Sequence, residues 1–215
     1  MAEYNETSPE IVHLCTADSV LAQGIRKVGP LSYTPYNDGF SFIVQTIISQ
    51  MLSSKVADVL INRMLGLCDQ SLTPETVLPL ETERLRSIGL SNQKAANIHG
   101  FARYCADHPL FVEELALSGD EEICKRLTLH KGIGMWTAKM YLIFVLDRLD
   151  VLPYEDGAFL QAFHWLYPDK EMTIASVKRQ GGLWAPYESL AARHLYCMLD
   201  KGLTKTPLVK GQGNL

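Results

Sequence analysis

The stretch "LHKGIGMWTAKM", Leu129 to Met140, decides the fold. Gly132 and Gly134 sit one residue apart, no Asn-Gly or Pro-Gly turn pair accompanies them, and Trp136 follows at once. In the wider context "ICKRLTLHKGIGMWTAKMYLIF", the pattern reads as helix, tight turn, helix. The glycines permit positive φ and close backbone approach. Small residues here leave N–H groups bare at the start of the second helix. Those groups and the helix dipole make an anion site, for which a phosphate is the natural ligand. Lys131 and Lys139 add positive charge nearby. A plain helical hairpin with a glycine turn fits the local spacing equally well, so at this point both readings stand.

Helical periods dominate the chain outward from the hairpin. Met135 to Leu149 is apolar nearly all round, so it predicts a central helix. From Phe40 to Leu65, apolar residues recur at steps of three and four, interrupted by Ser49-Gln50 and Ser53-Ser54-Lys55. This predicts two helices with a break near Met51 to Ser54, where Ser53 or Ser54 caps the second. "LTPETV" offers Thr73 as an N-cap with Pro74 at the first helical position. Gly89 is a stop, Ser91 the next N-cap, and a helix runs from there to about Cys105. Ser118 with Glu121 reads as a capping box. "FLQAFHWLY" and "PYESLAARHLYCMLD" are two further helices. No run alternates with period two, so the fold class is all-α. The tail, 205–215, is expected to be flexible.

The composition fits a globular chain of one or two lobes: 215 residues, 47% hydrophobic, 20% charged. No apolar window reaches the roughly 18 residues of a membrane span, so no membrane partner is expected. The acidic, polar start "MAEYNETSPEIVHL" does not read as a signal peptide. Five cysteines, widely spaced and without a CxxC pair, predict free thiols in a reducing compartment. The net charge of −4 lowers the expectation of a nucleic-acid partner without excluding one. Phosphate binding needs a local patch and helix N-termini, not a basic average.

"LxxhKGIGxWTA", followed by an apolar helix and "DVLPYED", resembles the helix-hairpin-helix (HhH-GPD) DNA glycosylase superfamily. Within it the chain is most similar to the alkylpurine branch, the 3-methyladenine DNA glycosylase II type. "FIVQTIISQMLSSKVADVLINRML", "LRSIGLSNQKAANIHGFA" and "GLWAPYESLAARHLY" resemble further motifs of that branch, in the same order, over roughly Gly29 to Asp200. The resemblance implies a two-lobed helical fold with the hairpin at the cleft and no N-terminal β-domain. The central lobe would be 39–150, with the hairpin at about 121–149. The second lobe would be 1–38 plus 151–204.

The resemblance also implies roles. Asp156 matches the catalytic Asp. From the residues alone it reads as an N-cap for the helix that follows, and the two readings are compatible. A fixed carboxylate can stabilise the positive sugar formed as an N-glycosidic bond breaks, and can orient or deprotonate a water. Trp136 and Tyr187 match aromatic residues of the base pocket, suited to an electron-poor purine. Met140 lines the same pocket but stands, like Gly157, where relatives carry Tyr. Trp136 also occupies the position of the nucleophilic Lys of bifunctional members, so a monofunctional enzyme without β-lyase activity is expected. Met51 after Gln50 matches the wedge that fills the stack when a base is flipped out, although a core methionine at a helix end fits the position too. Ser49 departs from the usual Gln.

Gly132, Gly134, Lys131, Thr137 and Lys94 are the expected phosphate contacts, although a solvated helix lysine fits position 94 equally well. The main-chain carbonyls of Thr128, His130 and Ile133 fall at the family's spacing for a monovalent cation, Na+ or K+, and the His130 imidazole is then structural. No organic cofactor and no iron–sulfur cluster are expected, since Cys197 stands alone where the endonuclease III branch has four cysteines. The expected partner is double-stranded DNA, bound by a monomer in the cytoplasm, or in the nucleus of a eukaryote. Two rival readings remain: a glycosylase of the same fold for other damaged or mismatched bases, and a non-catalytic hairpin DNA-binding module.

Overall fold

The computed structural model describes residues 1–207. The chain begins with strand β1 (Ala2–Tyr4), helices α1 (Pro9–Ala17) and α2 (Ser19–Val28), and strand β2 (Leu31–Tyr33). Eight helices follow: α3 (Gly39–Ser49), α4 (Ser54–Leu67), α5 (Pro74–Val77), α6 (Thr82–Ser87), α7 (Asn92–Asp107), α8 (Phe111–Ala116), α9 (Asp120–Thr128) and α10 (Met135–Phe144). Then come α11 (Gly157–Leu166), α12 (Ile174–Gly181), α13 (Glu188–Asp200) and a 3-10 turn, Leu203–Lys205. The chain divides into two compact units, one of Tyr36–Leu146 and one of Met1–Pro35 with Asp147 onward.

In the unit Tyr36–Leu146, α10 is the inner helix. Thr137, Ala138, Met140, Tyr141, Leu142 and Ile143 are all buried, and the helix packs on α9 and α3. Full burial of each large apolar side chain contributes about 1.5–3 kcal/mol before entropy is counted. The helix stops five residues short of Leu149. The amides of Val145 and Leu146 both donate to the Tyr141 carbonyl, and Asp147 takes a left-handed φ of 52°. The apolar run therefore outlasts the helix by Val145 and Leu146.

The break after α3 is where the polar cluster predicted it, with Ser53 at the N-cap of α4. Thr73 and Thr76 form a capping box at α5. Gly89 takes φ 108°, and the Ser91 hydroxyl accepts from the Lys94 amide at the start of α7. The start of α9 differs: its N-cap is Gly119, while the Ser118 hydroxyl donates back to the Glu114 carbonyl at 2.9 Å.

The other unit adds what periodicity missed. β1 and β2 pair antiparallel, Ala2 against Tyr33 and Tyr4 against Leu31. Three residues each are too few to show alternation. The core is built by α1, α2, α11 and α13 around Trp184, Phe159 and Phe163. Trp165 packs at its edge and donates from Nε1 to the Thr206 carbonyl at 2.7 Å, which holds the start of the expected tail. Residues 208–215 of that tail lie outside the described residues.

Asp18 is a buried carboxylate in this core. One oxygen accepts from the amides of Val20 and Leu21, capping α2. The other accepts from the Tyr167 phenol at 2.6 Å, the Trp184 indole at 3.0 Å and the Gln180 amide. Burial alone would raise its pKa, but the donors from Tyr167, Leu21, Trp184 and Gln180 outweigh burial and hold it below the ordinary carboxylate value. A depressed folded pKa stabilises the fold above the unfolded value of about 3.9. That contribution is lost as pH falls through the lower folded pKa. Asp18→Ala should cost more than about 3 kcal/mol, because several buried donors lose their acceptor. Asp18→Asn should flatten the acid limb of stability below about pH 4. Urea melts across that pH range check both.

Candidate functional site

The hairpin turn is locked from below. Gly132 takes φ 84°, and a Cβ there would lie 2.2 Å from Nδ2 of Asn97. Asn97 is itself buried and fixed by the Gln93 amide at 2.8 Å. The Gln50 side-chain amide donates to the Gly132 carbonyl at 2.8 Å and to the Thr137 hydroxyl at 3.4 Å. Only glycine suits position 132, where backbone conformation and space both demand it.

Gly134 differs. It is the N-cap of α10 with φ −97°, and a Cβ there would meet nothing. Its value lies in the exposed face it leaves open at the first amides of α10, not in an unusual backbone. Lys131 is exposed beside that face, and so are Leu129 and Met135. Trp136 is half-buried on the first turn of α10.

The His130 ring is packed edge-on against Phe101, Tyr104 and Phe111. Burial, then the nearby His108, push its pKa below the ordinary value, so the ring is neutral at pH 7. It acts as packing. The His130 carbonyl accepts from the Ile133 amide within the turn. Thr128 ends α9, and Ile133 is buried. The cation ligands expected here are main-chain oxygens alone, a hard donor set that suits Na+ or K+ and no softer metal.

Three expected contacts take other roles. Thr137 is buried and its hydroxyl faces Gln50, so it does not present itself to a phosphate. Gln50 turns its side chain inward onto the hairpin and is a clamp, not part of a wedge. Lys94 directs its ammonium to the Ile48 and Gln50 carbonyls at 2.7 and 2.8 Å, at the end of α3. Burial lowers its pKa. It is not held out for phosphate. Met140 is buried on α10.

Met51 is fully exposed and adopts a left-handed φ of 58°. A core role is ruled out. A non-glycine residue pays about 1–2 kcal/mol for that conformation.

In the other unit, Asp156 is the N-cap of α11 and is buried. Its Oδ1 accepts from the Phe159 amide at 2.7 Å, and its own amide donates to the Pro153 carbonyl at 2.9 Å. The cap reading is thus correct, and the cap fixes the direction of the carboxylate. Two residues not singled out from sequence support it. The Tyr196 phenol of α13 lies against Asp156, and burial followed by that carboxylate push the phenol well above its ordinary pKa. Ser189 ties the preceding loop to α13. Its hydroxyl accepts from the Val151 amide at 3.0 Å, and its amide donates to the Leu149 carbonyl at 2.9 Å. Its presence in "APYES" was the available signal. Tyr187 is half-buried at the N-cap of α13, edge-on to His13 with ring centroids 5.3 Å apart. Glu155 is exposed.

The model of the HhH-GPD superfamily of base excision DNA repair proteins matches residues 44–186. The chain belongs to this superfamily. The matched HhH-GPD region contains the end of α3, the hairpin and Asp156, and it stops one residue before Tyr187. Alkylbase DNA glycosidase-like protein mag2 of Schizosaccharomyces pombe is 28% identical over 191 residues, which cover 86% of this chain and 90% of that protein. A crystal structure of DNA-3-methyladenine glycosidase from Bacillus halodurans superposes with a TM-score of 0.80 at 31% identity, covering 94% of each chain. The S. pombe 3-methyladenine DNA glycosylase Mag1, in complex with abasic DNA, gives 0.83 at 26% identity, over 93% of this chain and 100% of that one. The HhH-GPD assignment agrees with the mostly helical fold, to which the two short strands are an addition.

Proposed function

We propose that this HhH-GPD protein is a DNA glycosylase that hydrolyses the N-glycosidic bond of alkylated purines of the 3-methyladenine type. Asp156 carries the reading. It is a buried carboxylate with one oxygen fixed at 2.7 Å by a backbone amide, in a region matched to base excision repair proteins. Its charge stabilises the oxocarbenium that forms as the base leaves, and it orients or deprotonates the attacking water. An alkylated purine is often already cationic and leaves without a strong general acid. Trp136 and Tyr187 supply aromatic faces that favour such a base.

The enzyme is monofunctional, because Trp136 has no amine to attack the sugar. Borohydride should trap no covalent protein–DNA adduct during turnover. A trapped adduct would refute this.

Double-stranded DNA is the substrate, bound by one copy of the chain. The amides at Gly132 and Gly134, with Lys131, hold a phosphate at the N-terminus of α10. The carbonyls of Thr128, His130 and Ile133 would hold Na+ or K+, which supplies positive charge for the same phosphate. Met51 fills the stack when the base is extruded. Because Met51 is fully exposed, Met51→Ala should change stability by less than about 0.5 kcal/mol. It should weaken binding to a duplex with an abasic-site analogue more than to undamaged duplex. Thermal melts and fluorescence anisotropy read the two effects separately.

A further inference from the structure

Met51 lacks the residue type that its backbone calls for. Helices that end in a left-handed residue use glycine, or sometimes asparagine, because Cβ is strained there. Here a methionine takes φ 58° two residues past the last helical residue of α3, in full solvent. Its own side chain makes no compensating packing.

The peptide before Met51 is held by Lys94. The ammonium of Lys94 bonds the Ile48 carbonyl at 2.7 Å and the Gln50 carbonyl at 2.8 Å. The second is the carbonyl of the Gln50–Met51 peptide itself. A cation at the end of α3 also complements the negative end of the helix dipole. Gln50 is therefore pinned at both ends, its carbonyl on Lys94 and its side chain on the Gly132 carbonyl.

Lys94 sits on α7 three residues before Asn97, and residues so spaced share a helix face. Asn97 fills the space under Gly132, closer than a Cβ at that position would allow. One helix face thus touches the end of α3 through Lys94 and the hairpin turn through Asn97.

We propose that Lys94 is a positioning residue that holds Met51 in its left-handed conformation. With Asn97 on the same helix, it sets the wedge at a fixed distance from the phosphate-binding turn. The wedge and the phosphate anchor then engage DNA as one rigid unit. This rests on the role given to Met51 above and assigns what keeps that residue in place.

The test is a double-mutant cycle on the full chain, using a duplex with a tetrahydrofuran abasic-site analogue and the undamaged duplex as probes. Lys94→Met should lower the affinity ratio between the two about tenfold, as Met51→Ala does. The double variant should be no worse than either single variant, since both act through one wedge. The dependence of affinity on salt should be unchanged. A uniform loss on both duplexes with a shallower salt slope would make Lys94 a phosphate contact and overturn the proposal. Additive losses would overturn it as well.

Thermal melting gives a second reading that needs no DNA. In a Met51→Gly background the left-handed turn is unstrained and gains nothing by relaxing. Lys94→Met should therefore lower the melting temperature more than it does in the native background, where release of the methionine's strain offsets part of the lost bonds. An equal loss in both would overturn the proposal. Failure of the wild-type chain to release any base would instead count against the catalytic reading, leaving this one to stand on the binding ratios.

Discussion

Asp156→Asn should lower base release by about a thousandfold or more while leaving DNA binding nearly intact. The substitution isolates charge. Asparagine is as good an N-cap as aspartate, so its side-chain oxygen can still accept from the Phe159 amide and keep α11 in place. What it removes is the negative charge that meets the developing oxocarbenium. Asp156→Ala should be equally inactive but should also lose about 1 kcal/mol of stability with the cap. The pair separates the two roles of one side chain. Single-turnover release of bases from methylated duplex measures the first, and urea melts measure the second. Near-normal turnover by the asparagine variant would remove Asp156 from the mechanism.

The second large effect is expected at the hairpin, where two neighbouring glycines should fail differently. Gly132→Ala puts a Cβ 2.2 Å from the Asn97 amide nitrogen at a backbone φ of 84°. It should cost about 2–4 kcal/mol through strain and overpacking. DNA affinity should fall with the displaced turn. Gly134→Ala meets no atom and needs no unusual φ. Its stability should fall by only about 0.5–1 kcal/mol, the advantage glycine holds over alanine at an N-cap. Its DNA affinity should nevertheless fall about tenfold, the scale of one charge-assisted hydrogen bond lost when the methyl group blocks approach to the α10 amides. Equal losses of stability in the two variants would contradict this division.

Local signals carried much of the fold. The Ser-rich break between α3 and α4, the Thr73 cap, the Gly89 stop and the Ser91 cap are each written in two to four adjacent residues, and the chain obeys them. Elements failed to show where hydropathy and geometry part company. Val145 and Leu146 continue the apolar run after α10 has ended, and the bonds to the Tyr141 carbonyl and the left-handed Asp147 reveal the stop. The three-residue strands are shorter than any period that could announce them.

The site was legible unevenly for the same reason. Asp156 and the hairpin glycines stand in contiguous motifs, and the Asp156 cap and the positive φ of Gly132 were foreseen, while Gly134 takes an ordinary φ. Lys94 was misread because its acceptors are carbonyls 44 and 46 residues away, and a main-chain carbonyl has no sequence signature. Thr137 and Gln50 were expected to face outward and instead face each other across 87 positions. Asp18 drew no attention, since its side-chain donors come from residues 149 to 166 positions distant. Met51 was placed as a wedge through resemblance alone. Its exposure and its left-handed backbone are what the structure adds.

The central claim is that this chain frees alkylated purines from DNA by hydrolysis at Asp156. Chromatography of the bases released from a duplex carrying methylated, deaminated and oxidised purines tests it most directly. The account predicts free 3-methyladenine-type bases in the supernatant with the wild-type protein, and none above background with Asp156→Asn. Release of only deaminated or oxidised bases, or of no base at all, would contradict it.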